Sequence, residues 1–445
     1  MNVRATGSAS AHSRSARATT AVVAVNAVNR LSRMLGRGSG TVAGGRAGLL
    51  VDPGLLATLA TGRQVALVTG TNGKTTTTRL LSAALAEPDG SMVPVSNDTG
   101  ANMPAGHVAA LAASPEARVA VLEVDEGYLG RLITEAAPEV VVLLNLSRDQ
   151  LDRIAEVRMV VDRWRASLAG LTRPTPDGRG TVVVANADDP MVAYAAATAP
   201  EVHWVGAGQV WHDDAVGCPA CGGRIVFAEG GRWACDRCDF ARPAVAADVV
   251  GSDLVLADGT RLPIRIGLPG QFNRANAAMA AMAAGPILES TGRAGASGGV
   301  STALGRLDGV TEVAGRFSTI TRGGRPVRLL LAKNPAGWTA IFDLLDETGP
   351  PDATVVLSVN ARTADGFDTS WLWDVPFERL VGRTVVATGD RRLDLAVRLH
   401  YADVEHAVVD GPVTALDHAV TGSPEGTTVE FLGNYTAFAD LRRAL

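Results

Sequence analysis

The chain has 445 residues, a net charge of −5 and a hydrophobic content of 47%, enough for two to four domains with buried cores. With no long basic tract in its body, nucleic acid is not the expected partner. No apolar stretch is long enough to span a bilayer and nothing at the start reads as a cleaved secretory signal, so the cytoplasm, up to the inner face of the membrane, is the expected compartment.

The first 51 residues stand apart, with seven arginines, no acid before Asp52 and much Ala, Ser and Gly. Residues 1–50 are expected to be a basic N-terminal segment, partly disordered. Within it, 21–35 has the pattern of a short basic amphipathic helix suited to a membrane surface or a partner.

Lysine is the rarest signal: of 41 basic residues only Lys74 and Lys333 are lysines. A compact ammonium on a flexible stem does point-charge work that a planar guanidinium does not. Lys74 sits in Gly70-Thr71-Asn72-Gly73-Lys74-Thr75-Thr76-Thr77, directly after the apolar run Val65-Ala66-Leu67-Val68. Strand, glycine-turned loop and helix start is the order of a phosphate-binding loop. Backbone N–H groups cradle the phosphates, Lys74 reaches the β and γ oxygens, and the Thr75 hydroxyl meets Mg²⁺. The expected ligand is ATP.

Further along, near-continuous β-branched runs at 119–124, 140–146 and 181–185 mark strands buried on both faces of a parallel sheet. Each is followed by acids: Glu123-Val-Asp125-Glu126-Gly127, then Asn145-x-x-x-Asp149-Gln150-Leu151-Asp152, then Asn186-Ala-Asp188-Asp189-Pro190. Open α/β sheets bind ligands at such strand ends, and Glu123 is placed to reach the phosphate-bound Mg²⁺. The segment 212–245 interrupts this rhythm. It carries Cys218-Pro-Ala-Cys221 and Cys235-Asp-Arg-Cys238, a spacing that places four thiolates around a structural Zn²⁺ and leaves no cysteine free as a nucleophile.

An alanine-rich helix is expected at 275–284 and a linker near 305–316. Beyond it a second alternating series, at 327–332, 354–359, 384–388, 404–409 and 428–432, reads as a separate doubly wound domain. The expected division is thus 51–315 for an ATP-binding domain with the zinc-ribbon insertion, and 316–445 for a C-terminal Rossmann-like α/β domain.

The ordered set G-T-N-G-K-T-T-T, E-V-D-E-G, N-x-x-x-D-Q-L-D and N-A-D-D-P resembles the central ATPase domain of the Mur ligase family. Gly270-Gln-Phe-Asn273-Arg-Ala-Asn276 resembles its segment near the adenine, and Gly315-Arg316-Phe317 its domain-closing motif. The resemblance implies that Asn273 and Arg316 meet the nucleotide, and that a substrate carboxylate is phosphorylated by ATP and then attacked by an amine. Departures choose the branch. Gln150 stands where the family usually has His, and no lysine is available in the central domain for the family's carbamylated residue, so the second metal site is rebuilt or absent. Leu331-Ala332-Lys333-Asn334-Pro335-Ala336-Gly337 replaces the usual Asp-Tyr-x-His-x-Pro stretch.

Together with the four-cysteine insertion and Ala364-Asp365-Gly366-Phe367-Asp368-Thr369-Ser370-Trp371, these features resemble the Mur-ligase-like subunits of lipid II isoglutaminyl synthase. That resemblance implies amidation of the α-carboxylate of D-glutamate in the lipid II stem peptide, with ammonia from a separate class-I-type glutaminase held as a heterodimer. It also implies that Asp368 completes the partner's Cys–His pair; Asp365 and Asp374 are rivals on the same loop, and a cap for 370–373 is the competing role for Asp368. Lys333 is expected to hold the substrate carboxylate or acyl phosphate. His107, near the loop 96–102, reads as core or surface. Two other functions compete: an amino-acid-adding ligase of the Mur or folylpolyglutamate type, and a nucleotide-switched zinc-ribbon binding module, against which the missing basic patch and the full set of site acids count.

Overall fold

The computed structural model describes residues 15–35, 40–97, 100–148, 157–174, 180–208, 211–312, 317–349 and 353–445. It opens with three helices, α1 (Ala16–Met34), α2 (Thr41–Val51) and α3 (Leu55–Ala60). The described part of the basic leading stretch forms α1 and α2, with Ser15 and Leu35 at the ends of α1 and Gly40 before α2. Ala18, Ala21 and Val25 are fully buried, and that burial holds α1 in place beyond what its propensity would.

A nine-stranded sheet follows. In chain order its strands are β1 (Gln64–Thr69), β2 (Val95–Ser96), β3 (Val119–Glu123), β4 (Val140–Leu143), β5 (Val182–Asn186) and β6 (Val202–Gly206); after a small hairpin of β7 (Ile225–Phe227) and β8 (Trp233–Cys235) come β9 (Ala247–Val250), β10 (Asp253–Leu256) and β11 (Arg261–Pro263). The spatial order is β11-β10-β9-β6-β5-β4-β1-β3-β2. Strands β1 to β6 and β9 pair in parallel. The sheet is not parallel throughout, because β10 and β11 add an antiparallel edge. The signal for that edge was local: Asp258-Gly259 between short alternating strands is a hairpin turn, and Gly259 takes φ +86°.

Helices cover both faces. Leu55, Leu129, Trp164 and Val192 close one side over Leu67, Leu122 and Val183. The other side carries α4 (Lys74–Leu85) and the long helix Gln271–Ser290. The alanines 277, 278, 280, 281, 283 and 284 of that helix are all fully buried, and small side chains let it lie close to α4 and the sheet. A further helix, α5 (Pro104–Ala113), packs behind β2 and β3.

The second sheet contains β12 (Phe317–Arg322), β13 (Arg325–Leu331), β14 (Val355–Ser358), β15 (Val385–Thr388), β16 (His406–Val408) and β17 (Val429–Gly433), in the order β12-β13-β17-β14-β15-β16. Only β12 is antiparallel. One face is closed by Trp338, Phe342, Phe377 and Leu395, the other by Leu416, Phe431 and Phe438. Both sheets are thus three-layer α/β/α arrangements.

Candidate active site

Strand β1 ends at Thr69 and α4 begins at Lys74, with Gly70 at φ +139° and Gly73 at φ +85° between them. Gly70 passes so close to the next strand that a Cβ would stand 2.8 Å from the Leu144 Cβ; at Gly73 it would stand 2.6 Å from Asn276 Oδ1. Glycine is the residue that allows the loop this path. Asn145 fixes the loop from β4: its Oδ1 accepts from the Asn72 N–H (2.9 Å), and its Nδ2 donates to the Asn72 carbonyl (3.0 Å). The Thr71 hydroxyl donates to the Ser147 carbonyl at 3.0 Å.

Lys74 is buried. Its ammonium donates to the Gly70 carbonyl at 2.6 Å and to Glu126 Oε1 at 3.1 Å. These are carbonyl and carboxylate oxygens standing where phosphate oxygens compete for the same donor. The Thr75 hydroxyl donates to Glu123 Oε2 at 2.8 Å, and Asn102 Nδ2 donates to Glu123 Oε1 at 3.3 Å. Glu123 is itself buried at the end of β3. A hydroxyl and an anionic oxygen beside the phosphate loop form a hard-oxygen set that fits Mg²⁺.

The loop forms one wall of a cavity of about 240 Å³ between the two sheets. Thr71, Asn72, Gly73, Lys74, Thr75 and Thr76 line it from one side; Lys333 lines it from the other, directly after β13. Asn273 also lines it, held by its own Nδ2 donating to the Pro269 carbonyl at 2.7 Å. Gly70 contributes its carbonyl to Lys74 and does not line the cavity. Phe272, Phe317 and Ile341 give the cavity an apolar part, the chemistry an adenine face needs. Arg316 lies outside the described residues, as do Asp149, Gln150, Leu151 and Asp152.

The third acidic cluster serves the scaffold. Asp189 Oδ1 accepts from Met191 and Val192 N–H at 2.8 and 3.1 Å, capping the helix Pro190–Ala196, while Oδ2 accepts from Leu146 N–H. Asp188 takes Arg242 at 2.5 Å and the Gly208 N–H at 2.7 Å. Only Asn186 of this motif reaches the cavity. His107 is core: fully buried, its Nε2 lies 2.7 Å from the Glu123 carbonyl, and burial lowers its pKa. Sequence reasoning did not single out Glu126, Asn145 or Trp211, which also lines the cavity; the first two lay inside the motifs named above, whereas Trp211 carried no signal.

Cys218, Cys221, Cys235 and Cys238 converge, with all four sulfurs within 4.8 Å of one another. Cys218 and Cys238 are 3.8 Å apart and Cys221 and Cys235 3.5 Å; a tetrahedron with Zn–S bonds of about 2.3 Å has edges of roughly that length. The Gly223 N–H donates to Cys221 Sγ and, together with the neighbouring cysteines, holds that thiol down to about 6. The cluster therefore fits Zn²⁺. It is fastened to the large sheet by Trp233, whose Nε1 donates to the Ala187 carbonyl at 3.0 Å, and by the Arg242–Asp188 pair.

The loop carrying Asp368 leads into the short 3-10 turn Ser370–Asp374. Asp368 is exposed, and its Oδ1 accepts from the Ser370 N–H at 2.8 Å, while Thr369 takes the N-cap position of the turn. That N–H and the Ser370 hydroxyl hold its carboxyl below the usual carboxylate range. Its rivals are engaged elsewhere: Asp365 is buried against Thr436, and Asp374 lies 3.6 Å from Arg148.

A phosphate-type loop on a parallel sheet, facing a second α/β unit across a cavity, is the arrangement of a nucleotide-using enzyme. The Mur ligase middle domain matches residues 68–218 and the MurT ligase C-terminal family matches 331–438. A Lipid II isoglutaminyl synthase (glutamine-hydrolyzing) subunit MurT from Streptococcus pneumoniae is 32% identical, covering 82% of this chain and 82% of its own length; its namesake from Staphylococcus aureus is 28% identical, covering 93% and 94%. A pseudomurein peptide ligase type C from Methanothermus fervidus shares the fold, with a TM-score of 0.62 and 20% identity over 86% of this chain and 79% of its own. The chain belongs to the MurT family. It is an ATP-dependent ligase with a Mur-ligase-type role in peptidoglycan synthesis, and its fold implies ATP and Mg²⁺.

Proposed function

We propose that the chain is the synthetase half of a two-chain amidotransferase that converts the α-carboxylate of D-glutamate in the lipid II stem peptide to D-isoglutamine. The observation that carries this reading is the fate of the cysteines. All four are gathered in one cluster, so a chain equipped with a nucleotide loop and cavity keeps no thiol to release ammonia from glutamine. Ammonia at neutral pH is mostly protonated, and glutamine hydrolysis needs an activated nucleophile. A separate glutaminase subunit supplies it, in keeping with the relatives' designation as subunits of a glutamine-hydrolyzing synthase.

Lys74 and the N-terminus of α4 hold the β and γ phosphates, with Asn273 toward the nucleoside. Thr75 and Glu123 would hold Mg²⁺, which neutralises phosphate charge when bound. A substrate carboxylate oxygen attacks the γ phosphorus and the bond to ADP breaks, leaving an acyl phosphate. The ammonia lone pair then attacks the carbonyl carbon; inorganic phosphate departs and a proton is lost. Lys333, across the cavity, holds the carboxylate and then the acyl phosphate by its charge.

Asp368 would orient the glutaminase imidazole and stabilise its cation, as the acid of a Cys–His–Asp arrangement does. Its surroundings suit an interface: Phe367 is 67% and Trp373 55% exposed on the same loop, and aromatic anchors mark protein contacts.

The test is ATP-dependent phosphate release by the purified chain with lipid II, comparing ammonium chloride with glutamine. The expected result is turnover with ammonia alone, with product mass showing hydroxyl replaced by amino. Turnover with a free amino acid instead would move the chain to the amino-acid-adding ligases.

A further inference from the structure

Helices α1 and α2 form an antiparallel hairpin fixed by glycines. A Cβ at Gly44 would stand 2.0 Å from Asn29 Oδ1, one at Gly48 2.4 Å from Val25 Cγ2, and one at Gly40 2.5 Å from the Ser32 Cβ. This register turns Ala18, Ala21 and Val25 inward. It also puts the end of α1 and the start of α2 together at the tip, where Leu31, Met34, Leu35 and Val42 are 56%, 76%, 59% and 43% exposed. Arg30 and Arg33 are exposed among them, and Arg46 is exposed one turn after Val42. No acid occurs before Asp52.

We propose that this tip docks on an anionic lipid bilayer. The combination is specific in its chemistry. Unbranched and aliphatic side chains enter the headgroup boundary, while arginine stems lie along it with their charges at lipid phosphates. Protein contacts favour aromatic anchors, and the loop around Asp368 exposes two, Phe367 and Trp373; the hairpin has none, for no Phe, Tyr or Trp occurs before Asp52. The described chain holds no helix long and apolar enough to cross a membrane, so the tip would rest on the surface. The proposal deepens the reading above and relies on it for one point: a lipid-linked acceptor explains why the ligase needs a bilayer at hand.

The experiment is sedimentation of the full chain with vesicles of phosphatidylglycerol, beside vesicles of phosphatidylcholine, neither containing a peptidoglycan precursor. Binding to the anionic vesicles that weakens with salt is expected, with about tenfold loss in the double variant Leu31→Glu, Met34→Glu and a smaller loss in Arg30→Gln, Arg33→Gln. All four side chains are exposed, and unchanged ATP binding and zinc content will show the fold intact. Equal binding to both vesicle types, or wild-type binding by both variants, overturns the proposal. So does hydrogen-exchange protection of residues 31–35 by the glutaminase subunit but not by vesicles, which makes the tip a protein interface. Because no acceptor is present, failure here leaves the amidation reading to its own assay.

Discussion

Lys74 and Lys333, the chain's two lysines, line the same cavity from opposite sheets. A protein that writes its other 39 fixed cations as arginine keeps ammonium groups where two α/β units face each other. Arginine presents a broad planar fork, whereas an ammonium fits as a point charge among phosphate oxygens. Lys74 is held by Gly70 and Glu126, oxygens that a bound nucleotide would replace with phosphate.

Lys74→Ala is expected to lower ATP-driven turnover by roughly 10²–10³-fold, the scale of losing one positioned donor to a transferring group. Glu126→Gln should tighten ATP binding several-fold, since about 1 kcal/mol of competing charge–charge contact is removed. Calorimetric titration with ATP decides it; weaker binding in Glu126→Gln would show that Glu126 assists the nucleotide.

Asp368→Asn should remove glutamine-driven amidation by at least about 10²-fold in the two-chain complex, while ammonia-driven amidation stays within about twofold. Side-by-side rates with the two nitrogen sources separate the readings. Equal loss of both would sink the assigned role and leave Asp368 with a local part only, its bond to the Ser370 N–H.

Zinc extraction should lower the melting temperature by at least about 5 °C, because metal binding and local folding are one equilibrium. Trp233 and Arg242 connect the cluster to the Ala187–Asp188 turn, so the large sheet feels the loss. Metal analysis with differential scanning fluorimetry reports both quantities; an unchanged melting point in zinc-free protein would refute a structural site.

Glu430 on β17 faces Arg328 on β13 in direct register, and the guanidinium Nε lies 2.9 Å from both carboxylate oxygens. Burial raises the Glu430 pKa even though Arg328 opposes it. The folded state therefore holds this proton more tightly than the unfolded chain, whose pKa is about 4.3. Its contribution is present below that value and is lost as pH rises through the folded pKa. Denaturant unfolding against pH should show this decline in wild type and its absence in Glu430→Gln. Glu430→Ala should cost about 3–5 kcal/mol by leaving Arg328 unpaired.

How much was legible depends on range along the chain. The phosphate loop, the buried strands and the cysteine knuckles were readable because each is written in a few adjacent residues with one conformation to satisfy. The edge hairpin β10–β11 was missed for want of reading Asp258-Gly259. The acids at strand ends misled: Asp188 and Asp189 look like ligand-binding residues in sequence, yet their oxygens are consumed by Arg242 and by backbone N–H groups.

By itself the sequence determined that a glycine-turned loop joins a strand to a helix at 70–73, and that four cysteines in two knuckles come together. Both are consequences of backbone geometry over short spans. Only the tertiary structure decided that Lys333 shares a cavity with Lys74, that Asp365 is buried while Asp368 stays exposed, and that glycines in α2 turn the apolar tip of α1 outward. Those outcomes depend on which surfaces meet between elements apart in the chain, and packing, not local pattern, selects them.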